Sequence, residues 1–316
     1  MLPRWQIILF VIVLFFSLLL TKGASAPVKK AANAAAATST ALSLPSGSAY
    51  VSFRPAVLAE SSAIVPKAPH RRWEIPDPKI SAKIALVHSF DDGMPLYYSN
   101  TRELWPLASL TKLITSVAVI EDIGISEKIP ITSEVVETEG EAGGLVSGES
   151  YSARDLLKIM LLSSSNDAAA AFTRYYSEDF ISLLNQKARE IGMKNTEVYD
   201  ASGLNDYNSG TAQDMLAIVE YILGNHPEIL QWTQNRQIMV QPLNGTGAKE
   251  VYNINALVGN DDFLGGKTGT SARAGQNLAA VFRTNARRIA IILMGSQNRI
   301  KDAETILNWI DKAYRF

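Results

Sequence analysis

The chain has 316 residues, with 30 lysines and arginines against 31 aspartates and glutamates, and therefore a formal net charge of −1. This near-balance excludes nucleic-acid binding driven by overall positive charge. A hydrophobic fraction of 47% with 19% charged residues excludes a largely disordered chain, and the length allows one large domain or two small ones. Cysteine is absent and there are three histidines. The sequence therefore excludes disulfides and cysteine-ligated metals, and it argues against histidine metal clusters.

An apolar run near the N-terminus extends from Ile7 to Leu20. It is shorter than the ~20 residues that span a bilayer comfortably, and it suits the core of an export signal. Ala24-Ser25-Ala26 offers a small-residue cleavage pattern, but Pro27 is a poor residue to follow the cleaved bond. Residues 1–26 are therefore predicted to be either a cleaved signal peptide or a retained N-terminal membrane anchor, and both alternatives predict an exported protein.

The segment that follows, residues 27–78, is rich in alanine, serine and proline, a composition typical of a spacer. Tyr50 to Phe53 and Trp73 are apolar enough to dock onto a domain, so we expect the end of this linker to be partly ordered. From residue 79 to residue 316 the pattern changes to alternating strands and helices. This stretch is predicted to be the folded domain.

Within the domain, strands are predicted at both ends and helices in the middle. The strand-like runs are 82–89, 96–99, 238–241, 250–255, 265–270, 277–283 and 288–294, with hairpin turns at 91–93 and 284–287. The helical patterns are 109–122, 153–162, 166–175, 178–191, 212–223 and 302–314. Ser152 with Asp155 and Thr211 with Asp214 resemble capping boxes at two helix starts.

This order of elements predicts the fold class: an α/β protein of the α+β type. Strands from both termini would form one antiparallel sheet of about five strands, packed by helices, and the helical middle would form a lobe against it. A binding site is expected where the lobe meets the sheet.

Ser109-Leu-Thr-Lys112 opens an apolar helical pattern and is the first candidate for chemistry. Residues three apart share a helix face, so the hydroxyl and the amine are able to meet. A serine beside a partly neutral amine is an activated nucleophile, because the amine accepts the hydroxyl proton. Taken alone, the signal is weak, because a serine near a helix start is more often an N-cap.

A second string, Ser164-Ser165-Asn166, follows an apolar helical pattern. In the structural interpretation Ser163, Ser164 or Ser165 caps the next helix. In the functional interpretation a hydroxyl relays a proton while the Asn166 amide bridges nucleophile and substrate.

The third string, Gly266-Lys267-Thr268-Gly269-Thr270, lies in a strand-rich region. A phosphate-binding loop would require glycine where Asp261 stands, and no helix is predicted directly after it. A strand edge with lysine and threonines around a glycine instead suits close approach of a substrate backbone and binding of a carboxylate.

Together, and in this order, the three strings resemble the S-x-x-K, S-x-N and K-T-G elements of the penicillin-recognising serine peptidases. The chain is most similar to the D-alanyl-D-alanine carboxypeptidases of the low-molecular-weight penicillin-binding proteins. The strings 106–112, 161–168, 202–205, 266–270 and 274–278 carry that resemblance, which covers roughly residues 79–316. It implies the fold shared by β-lactamases and DD-peptidases, a peptidoglycan stem peptide as substrate, β-lactams as acylating inhibitors, and neither metal nor cofactor.

The resemblance also implies a role for each position. Ser109 would attack the carbonyl of the penultimate D-Ala, and Lys112 would take the proton of the Ser109 hydroxyl. Ser164 would relay a proton to the leaving amine. Asn166 would tether Lys112 and the substrate. Lys267 would add positive potential, Thr268 and Thr270 around Gly269 would hold the terminal carboxylate, and the N–H groups of Ser109 and Thr270 would form the oxyanion hole. Arg299 is a further candidate for the carboxylate, with an uncertain register.

Four alternatives stay open at this point. Related muropeptide endopeptidases share the layout without a β-rich C-terminal module. Class A β-lactamases carry a Glu-x-x-Leu-Asn loop, but Ala201 and Ile181 occupy the two positions where that glutamate would stand. A Ser-His-Asp hydrolase is disfavoured because Gly-x-Ser-x-Gly is absent. A non-hydrolytic penicillin sensor is disfavoured because each nucleophile, base and relay position is filled.

Overall fold

The computed structural model describes residues 68–316 except Glu141, Glu178 and Thr246. The apolar run Ile7–Leu20 and the linker up to residue 67 lie outside the described residues. Among the described residues, no helix has both the length and the apolar character needed to cross a membrane.

Thirteen strands are found in the described part of the chain, most of them very short. They are β1 (His70–Arg71), β2 (Ile84–Ser89), β3 (Met94–Ser99), β4 (Trp105–Pro106), β5 (Lys128–Pro130), β6 (Ser150–Ser152), β7 (Ser209–Gly210), β8 (Gln237–Val240), β9 (Lys249–Tyr252), β10 (Phe263–Ser271), β11 (Gly275–Thr284), β12 (Arg287–Ser296) and β13 (Tyr314–Arg315). The main sheet has five antiparallel strands in the order β10-β11-β12-β2-β3. This confirms the predicted sheet, including its assembly from both ends of the domain.

The turn between β11 and β12 shows why the sequence makes a hairpin at 284–287. Asn285 and Ala286 have φ values of 50° and 60°. Positive φ at both central residues is the backbone of a type I′ turn, whose twist matches that of the flanking strands. The register is continuous from Thr284 opposite Arg287 to Leu278 opposite Leu293, and a β-bulge shifts it before Gln276 opposite Ser296.

Eight α-helices are found in the same described range, beside a 3₁₀ turn at Ala108–Leu110 and a π-helical turn at Val119–Ile123. They are α1 (Thr111–Ala118), α2 (Ser133–Val136), α3 (Ala153–Leu162), α4 (Asn166–Tyr176), α5 (Phe180–Ile191), α6 (Ala212–Asn225), α7 (Glu228–Thr233) and α8 (Arg299–Ala313). The short helices α2 and α7 were not predicted from the sequence. The predicted capping box is present at the start of α6, where Thr211 and Asp214 bond reciprocally.

The central sheet is covered on both faces because its strands alternate between two cores. On β2, Ile84 and Leu86 belong to a cluster with the helical lobe, whereas Ala85 and Val87 belong to a cluster with α8. Successive side chains of a strand point to opposite faces, so a strand buried on both faces is apolar throughout. Helix α6 packs on β2, β11 and β12, and α8 packs on β11 and β12.

The C-terminal helix differs from its predicted range of 302–314. It begins at Arg299, because Asn298 is the N-cap and its side chain accepts from the Lys301 N–H. It ends at Ala313, because Tyr314 and Arg315 pair with the strand β1.

Residues upstream of Lys79 also contact the domain. His70 and Arg71 form β1, and the indole N–H of Trp309 donates to the Pro76 oxygen at 2.8 Å. The Trp73 side chain is 83% exposed, so Trp73 does not dock through burial of its indole.

Candidate active site

The turn that carries Ser109 is held from two sides. Ala108 has φ of 48°, in the left-handed region that residues other than glycine rarely adopt. A Cβ added to Gly203 would lie 1.9 Å from the Ala108 oxygen, and one added to Gly269 would lie 3.1 Å from the Ser109 nitrogen. A strained backbone of this kind persists where its surroundings fix it, which is common at functional sites.

Lys112 lies one helical turn beyond Ser109 and is fully buried. Its Nζ lies 3.0 Å from Ser109 Oγ, 2.8 Å from Asn166 Oδ1 and 2.6 Å from the Ser202 main-chain oxygen. Burial lowers the pKa of Lys112 to about 7, although the charge of Asp200 acts in the opposite direction. The amine therefore changes its charge near neutral pH.

These contacts suit an amine that accepts a proton. A neutral amine has two N–H bonds and one lone pair. The Asn166 and Ser202 oxygens are acceptors only, so they occupy the two N–H bonds of Lys112. The lone pair is left for the third neighbour, the Ser109 hydroxyl, which is the arrangement of a nucleophile beside its general base.

The three consecutive serines before α4 have separate contacts. Ser163 Oγ donates to the Ile159 oxygen of the preceding helix. Ser165 caps α4, with its side chain accepting from the Ala168 N–H at 3.1 Å. Ser164, with φ of 60°, instead lies 2.9 Å from Lys267 Nζ. Ser165 is therefore the cap that the structural interpretation predicts, and Ser164 is left with a contact to Lys267.

Lys267 on β10 is a second buried amine, 1% exposed. Its Nζ donates to Ser164 Oγ and to the Thr268 oxygen, each at 2.9 Å. Burial lowers the pKa of Lys267 well below its ordinary value, and the positive charges of Lys112 and Arg299 lower it further. The positive charge of Lys112 thus disfavours protonation of Lys267.

Arg299, whose register the sequence left uncertain, lies at the edge of the same strand. Its guanidinium donates to Thr270 Oγ1 and to the Gly269 oxygen, each at 2.7 Å. Thr270 is exposed and Thr268 is 4% exposed. A guanidinium beside an exposed hydroxyl is suited to binding a carboxylate.

Asp200 is a residue that the sequence analysis missed. Its Oδ1 accepts from the N–H groups of Ser202, Gly203 and Leu204 and from the Ser202 hydroxyl, while Oδ2 accepts from the Asn205 N–H. Burial alone would raise the pKa of Asp200, but these hydrogen bonds lower it below its ordinary value. The carboxylate thereby holds the loop whose carbonyl contacts Lys112.

The structure brings together all eight residues proposed from the sequence. They are Ser109, Lys112, Ser164, Asn166, Lys267, Thr268, Gly269 and Thr270, which join through the Lys112 contacts, the Lys267 contacts and the approach of Gly269 to Ser109. Asp200 directly precedes the loop 202–205 except for one residue, and the string 202–205 already carried part of the family resemblance. No chemical role was assigned to that string, so Asp200 was missed. In the described part of the chain, no group of three or more histidine, aspartate or glutamate side chains is placed to hold a metal ion.

Comparison with known proteins places this chain in a family. A family model described as D-alanyl-D-alanine carboxypeptidase matches residues 72–298. The D-alanyl-D-alanine endopeptidase of Pseudomonas aeruginosa is 30% identical over 74% of this chain and 78% of its own. The D-alanyl-D-alanine carboxypeptidase DacF of Bacillus subtilis is 28% identical over 74% of this chain and 62% of its own.

Solved structures show the same fold. The D-alanyl-D-alanine carboxypeptidase of Mycobacterium tuberculosis superposes with a TM-score of 0.69 at 24% identity, covering 75% of this chain and 94% of that chain. Penicillin-binding protein D2 of Listeria monocytogenes, in its cefotaxime-bound form, superposes with a TM-score of 0.65 at 26% identity, covering 74% and 98%. The β-lactamase and DD-peptidase fold expected from the motifs is thus confirmed.

Proposed function

The chain belongs to the D-alanyl-D-alanine carboxypeptidase family of serine peptidases, and from that premise we propose that it removes the terminal D-Ala from peptidoglycan stem pentapeptides. The observation that carries the proposal is the buried Lys112 amine. Its pKa of about 7 and its 3.0 Å separation from Ser109 Oγ support nucleophilic catalysis at neutral pH.

In the proposed reaction, Ser109 Oγ attacks the carbonyl carbon of the penultimate D-Ala while Lys112 takes the hydroxyl proton. The N–H groups of Ser109 and Thr270 would stabilise the oxyanion, and loss of one such donor typically lowers the rate ~100- to 1,000-fold. The C–N bond then breaks, and the leaving amine receives a proton through Ser164. Water hydrolyses the resulting ester on Ser109 and returns the free hydroxyl.

The other contacts support substrate binding. Asn166 Nδ2 donates to the Glu139 oxygen at 2.8 Å, which fixes the orientation of the amide beside Lys112. Arg299 with Thr270 would bind the carboxylate of the terminal D-Ala, because the guanidinium supplies the positive charge that a carboxylate requires.

A β-lactam is proposed to acylate the same serine and to leave slowly. The carboxylate of Asp200 influences Lys112, but its oxygens accept five hydrogen bonds from the loop 202–205. It is therefore poorly placed to activate a deacylating water, and a long-lived adduct on Ser109 is expected.

A second candidate function is DD-endopeptidase activity on the same carbonyl, with a cross-linking amine as the leaving group. It is favoured by the 30% identity to an enzyme named as an endopeptidase, of which the chain covers 78%. Both reactions need the same nucleophile and base, so the two differ in the leaving group that the site admits.

Mass spectrometry of the products from a defined pentapeptide muropeptide and a cross-linked dimer tests both functions. Carboxypeptidase activity predicts loss of one alanine from the pentapeptide and an intact dimer, whereas endopeptidase activity predicts two monomers from the dimer. The Ser109→Ala variant is the control and should change neither substrate. If the wild type forms a penicillin adduct but changes neither substrate, the protein is a sensor and the proposal is wrong.

We further propose that residues 1–26 export the chain and that residues 27–78 connect them to the catalytic domain, 79–316. Action on the cell wall requires a location outside the cytoplasm. The mass of the isolated protein distinguishes a cleaved from a retained segment, and membrane fractionation tests anchoring. Full-length mass in the cytoplasmic fraction contradicts export.

A further inference from the structure

Two tyrosine rings are exposed side by side on the loop that follows Val198. Tyr199 and Tyr207 are 49% and 69% exposed, and their ring centroids lie 6.1 Å apart at an interplanar angle of 64°. The guanidinium of Arg273, in the turn between β10 and β11, lies 5.7 Å from the centroid of the Tyr207 ring. We call these three side chains the tyrosine platform. Because large aromatic rings are usually buried on folding, two neighbouring exposed rings indicate a surface that binds a ligand.

The backbone of the platform is held in place from both sides. The fully buried Asn208 accepts from the Tyr199 N–H through Oδ1 at 2.7 Å, and its Nδ2 donates to the Thr111 hydroxyl of α1 at 3.1 Å. Asp206 Oδ1 accepts from the Ser271 hydroxyl at 2.9 Å, which joins the same loop to the end of β10. A ligand therefore loses little binding free energy to ordering of the protein.

The platform lies beside the candidate active site. The Tyr207 N–H donates to Asn205 Oδ1 at 2.9 Å, and Asn205 also lines a cleft of about 530 Å³ beside the contacts of Lys112. Gly203 packs against the backbone of Ala108, directly before the proposed nucleophile. Four residues separate Gly203 from Tyr207, so their backbones are at most about 14 Å apart.

The proposed substrate carries a sugar within this reach. A stem peptide is joined through its N-terminus to the glycan strand, and reaction at Ser109 breaks the bond after its fourth residue. Four extended residues span at most about 14 Å, the same length as the loop from Gly203 to Tyr207. A stem that is bound at Ser109 is thus able to bring its sugar to the tyrosine platform.

The chemistry of the platform suits an N-acetylated amino sugar. In a β-linked sugar of this kind the ring substituents are equatorial, so the axial C–H bonds form an apolar face that packs on an aromatic ring. The hydroxyl and acetamido groups at the edge of the sugar need polar partners. The exposed guanidinium of Arg273 and the exposed amide of Asn205 supply N–H donors beside the rings.

The charges around the platform favour a neutral polymer. Arg273 brings one positive charge, whereas Asp206 in the same loop and Glu197, which is hydrogen-bonded to the Tyr199 hydroxyl, each bring a negative charge. A polyphosphate or an anionic lipid surface would be repelled by the two carboxylates. A strand of N-acetylated amino sugars whose carboxyl groups are amide-bonded to stems carries no charge and meets no such repulsion.

We propose that the tyrosine platform binds the glycan strand of the substrate, a β-linked chain of N-acetylated amino sugars, while the D-Ala pair of an attached stem lies at Ser109. The inference rests on the proposed function, because a stem at Ser109 is what brings its sugar to this loop. The protein accordingly acts on stems that are attached to glycan in preference to free peptides.

Binding of chitotetraose, the β-linked tetramer of N-acetylglucosamine, tests the platform without any reaction. Saturation-transfer NMR with the full-length protein should show contact at the axial ring protons. Tyr207→Ala should lower the signal about fivefold, because one stacked ring is lost. Tyr98→Ala is the matched control, since Tyr98 is 68% exposed on β3 at the opposite edge of the main sheet, and it should leave the signal unchanged.

Two results of this measurement would overturn the inference. One is the absence of a chitotetraose signal, and the other is an equal loss of signal in the two alanine variants. Maltotetraose, an α-linked glucose tetramer without acetamido groups, should give a much weaker signal. Equal signals from the two sugars contradict the assignment to amino sugars.

Turnover supplies an independent test. We expect kcat/KM for D-Ala release to be about fivefold higher for a disaccharide pentapeptide than for the free pentapeptide. Tyr207→Ala should bring this ratio to about one, and Tyr207→Phe should keep it, because the ring and not the hydroxyl packs on the sugar.

The outcomes separate the inference from the proposed function. A ratio of one in the wild type overturns the inference and leaves the proposed function intact. No release from either substrate contradicts the proposed function, and the chitotetraose measurement then decides the inference by itself.

Discussion

The main-chain oxygen of Ser202 accepts a 2.6 Å hydrogen bond from the Nζ of Lys112. A backbone carbonyl is a fixed acceptor without a charge. It orients the amine without stabilising the ammonium form as strongly as a carboxylate would, which is compatible with a pKa lowered by burial to about 7. A partner that orients the Lys112 amine, the proposed base, thus comes from a loop outside the three motifs.

The pH dependence of acylation follows from this amine. Lys112 is able to take the Ser109 proton only when neutral, and the neutral form predominates above its pKa of about 7. The second-order rate of acylation by a fluorescent penicillin should rise about tenfold per pH unit below 7 and level off above it. Rates measured between pH 5.5 and 10 that rise continuously across the whole range would show an ordinary lysine and contradict this role.

Asp200→Asn is expected to disturb the base through the loop. The substitution removes a negative charge that raises the pKa of Lys112, so the midpoint of the acylation profile should move to lower pH. It also replaces one acceptor oxygen by an amide NH₂, which leaves main-chain N–H groups of 202–205 without their partner and should lower the maximal rate.

The readouts separate positioning from simple destabilisation. A merely structural effect lowers the rate at every pH and leaves the midpoint in place. Glu304→Gln on α8 removes an equal charge from an exposed position and should change neither quantity. A midpoint that moves to higher pH in the Asp200 variant would contradict the electrostatic argument.

The two neighbouring serines offer a paired prediction. Ser165→Ala removes the N-cap of α4, which should lower stability by about 1 kcal/mol. A change of that size in a domain of this length lowers Tm by about 2–4 °C. Ser164→Ala removes the partner of Lys267 and should lower turnover while leaving Tm within about 1 °C of the wild type.

Thermal unfolding and D-Ala release measured on both variants check this assignment. The contrary result, a larger loss of turnover in the Ser165 variant than in the Ser164 variant, would exchange the roles of the two hydroxyls.

Much of the fold was predictable because local patterns and the global arrangement agree. The hairpin at 284–287, the capping of α6 by Thr211 and the five-stranded sheet follow from turn chemistry, caps and alternation. The short helices α2 and α7 were missed because six or fewer residues show little periodicity.

The site was predictable as far as its residue types carry chemistry. Ser109 and Lys112 are recognisable because a hydroxyl and an amine three residues apart share a helix face. Lys267 is recognisable because it belongs to a Lys-Thr-Gly string in a strand-rich region. Asp200 was missed because its role is to accept main-chain hydrogen bonds, which sequence spacing does not reveal. The register of Arg299 depended on the start of α8, and helix ends are the least predictable boundaries.

The placement of Arg299 leads to a prediction about the end of the substrate. Arg299→Gln removes the guanidinium that contacts Thr270 Oγ1 at 2.7 Å and should raise KM for peptides with a free terminal carboxylate at least about tenfold. A peptide that ends in D-Ala-D-alaninamide lacks that charge, and the substitution should therefore change its hydrolysis by less than about twofold. Arg288→Gln, at the far end of the sheet where Arg288 pairs with Asp91, is the matched control for loss of a positive charge. If the Arg299 variant hydrolyses both peptides equally poorly, the arginine stabilises the strand β10 and does not bind the substrate carboxylate.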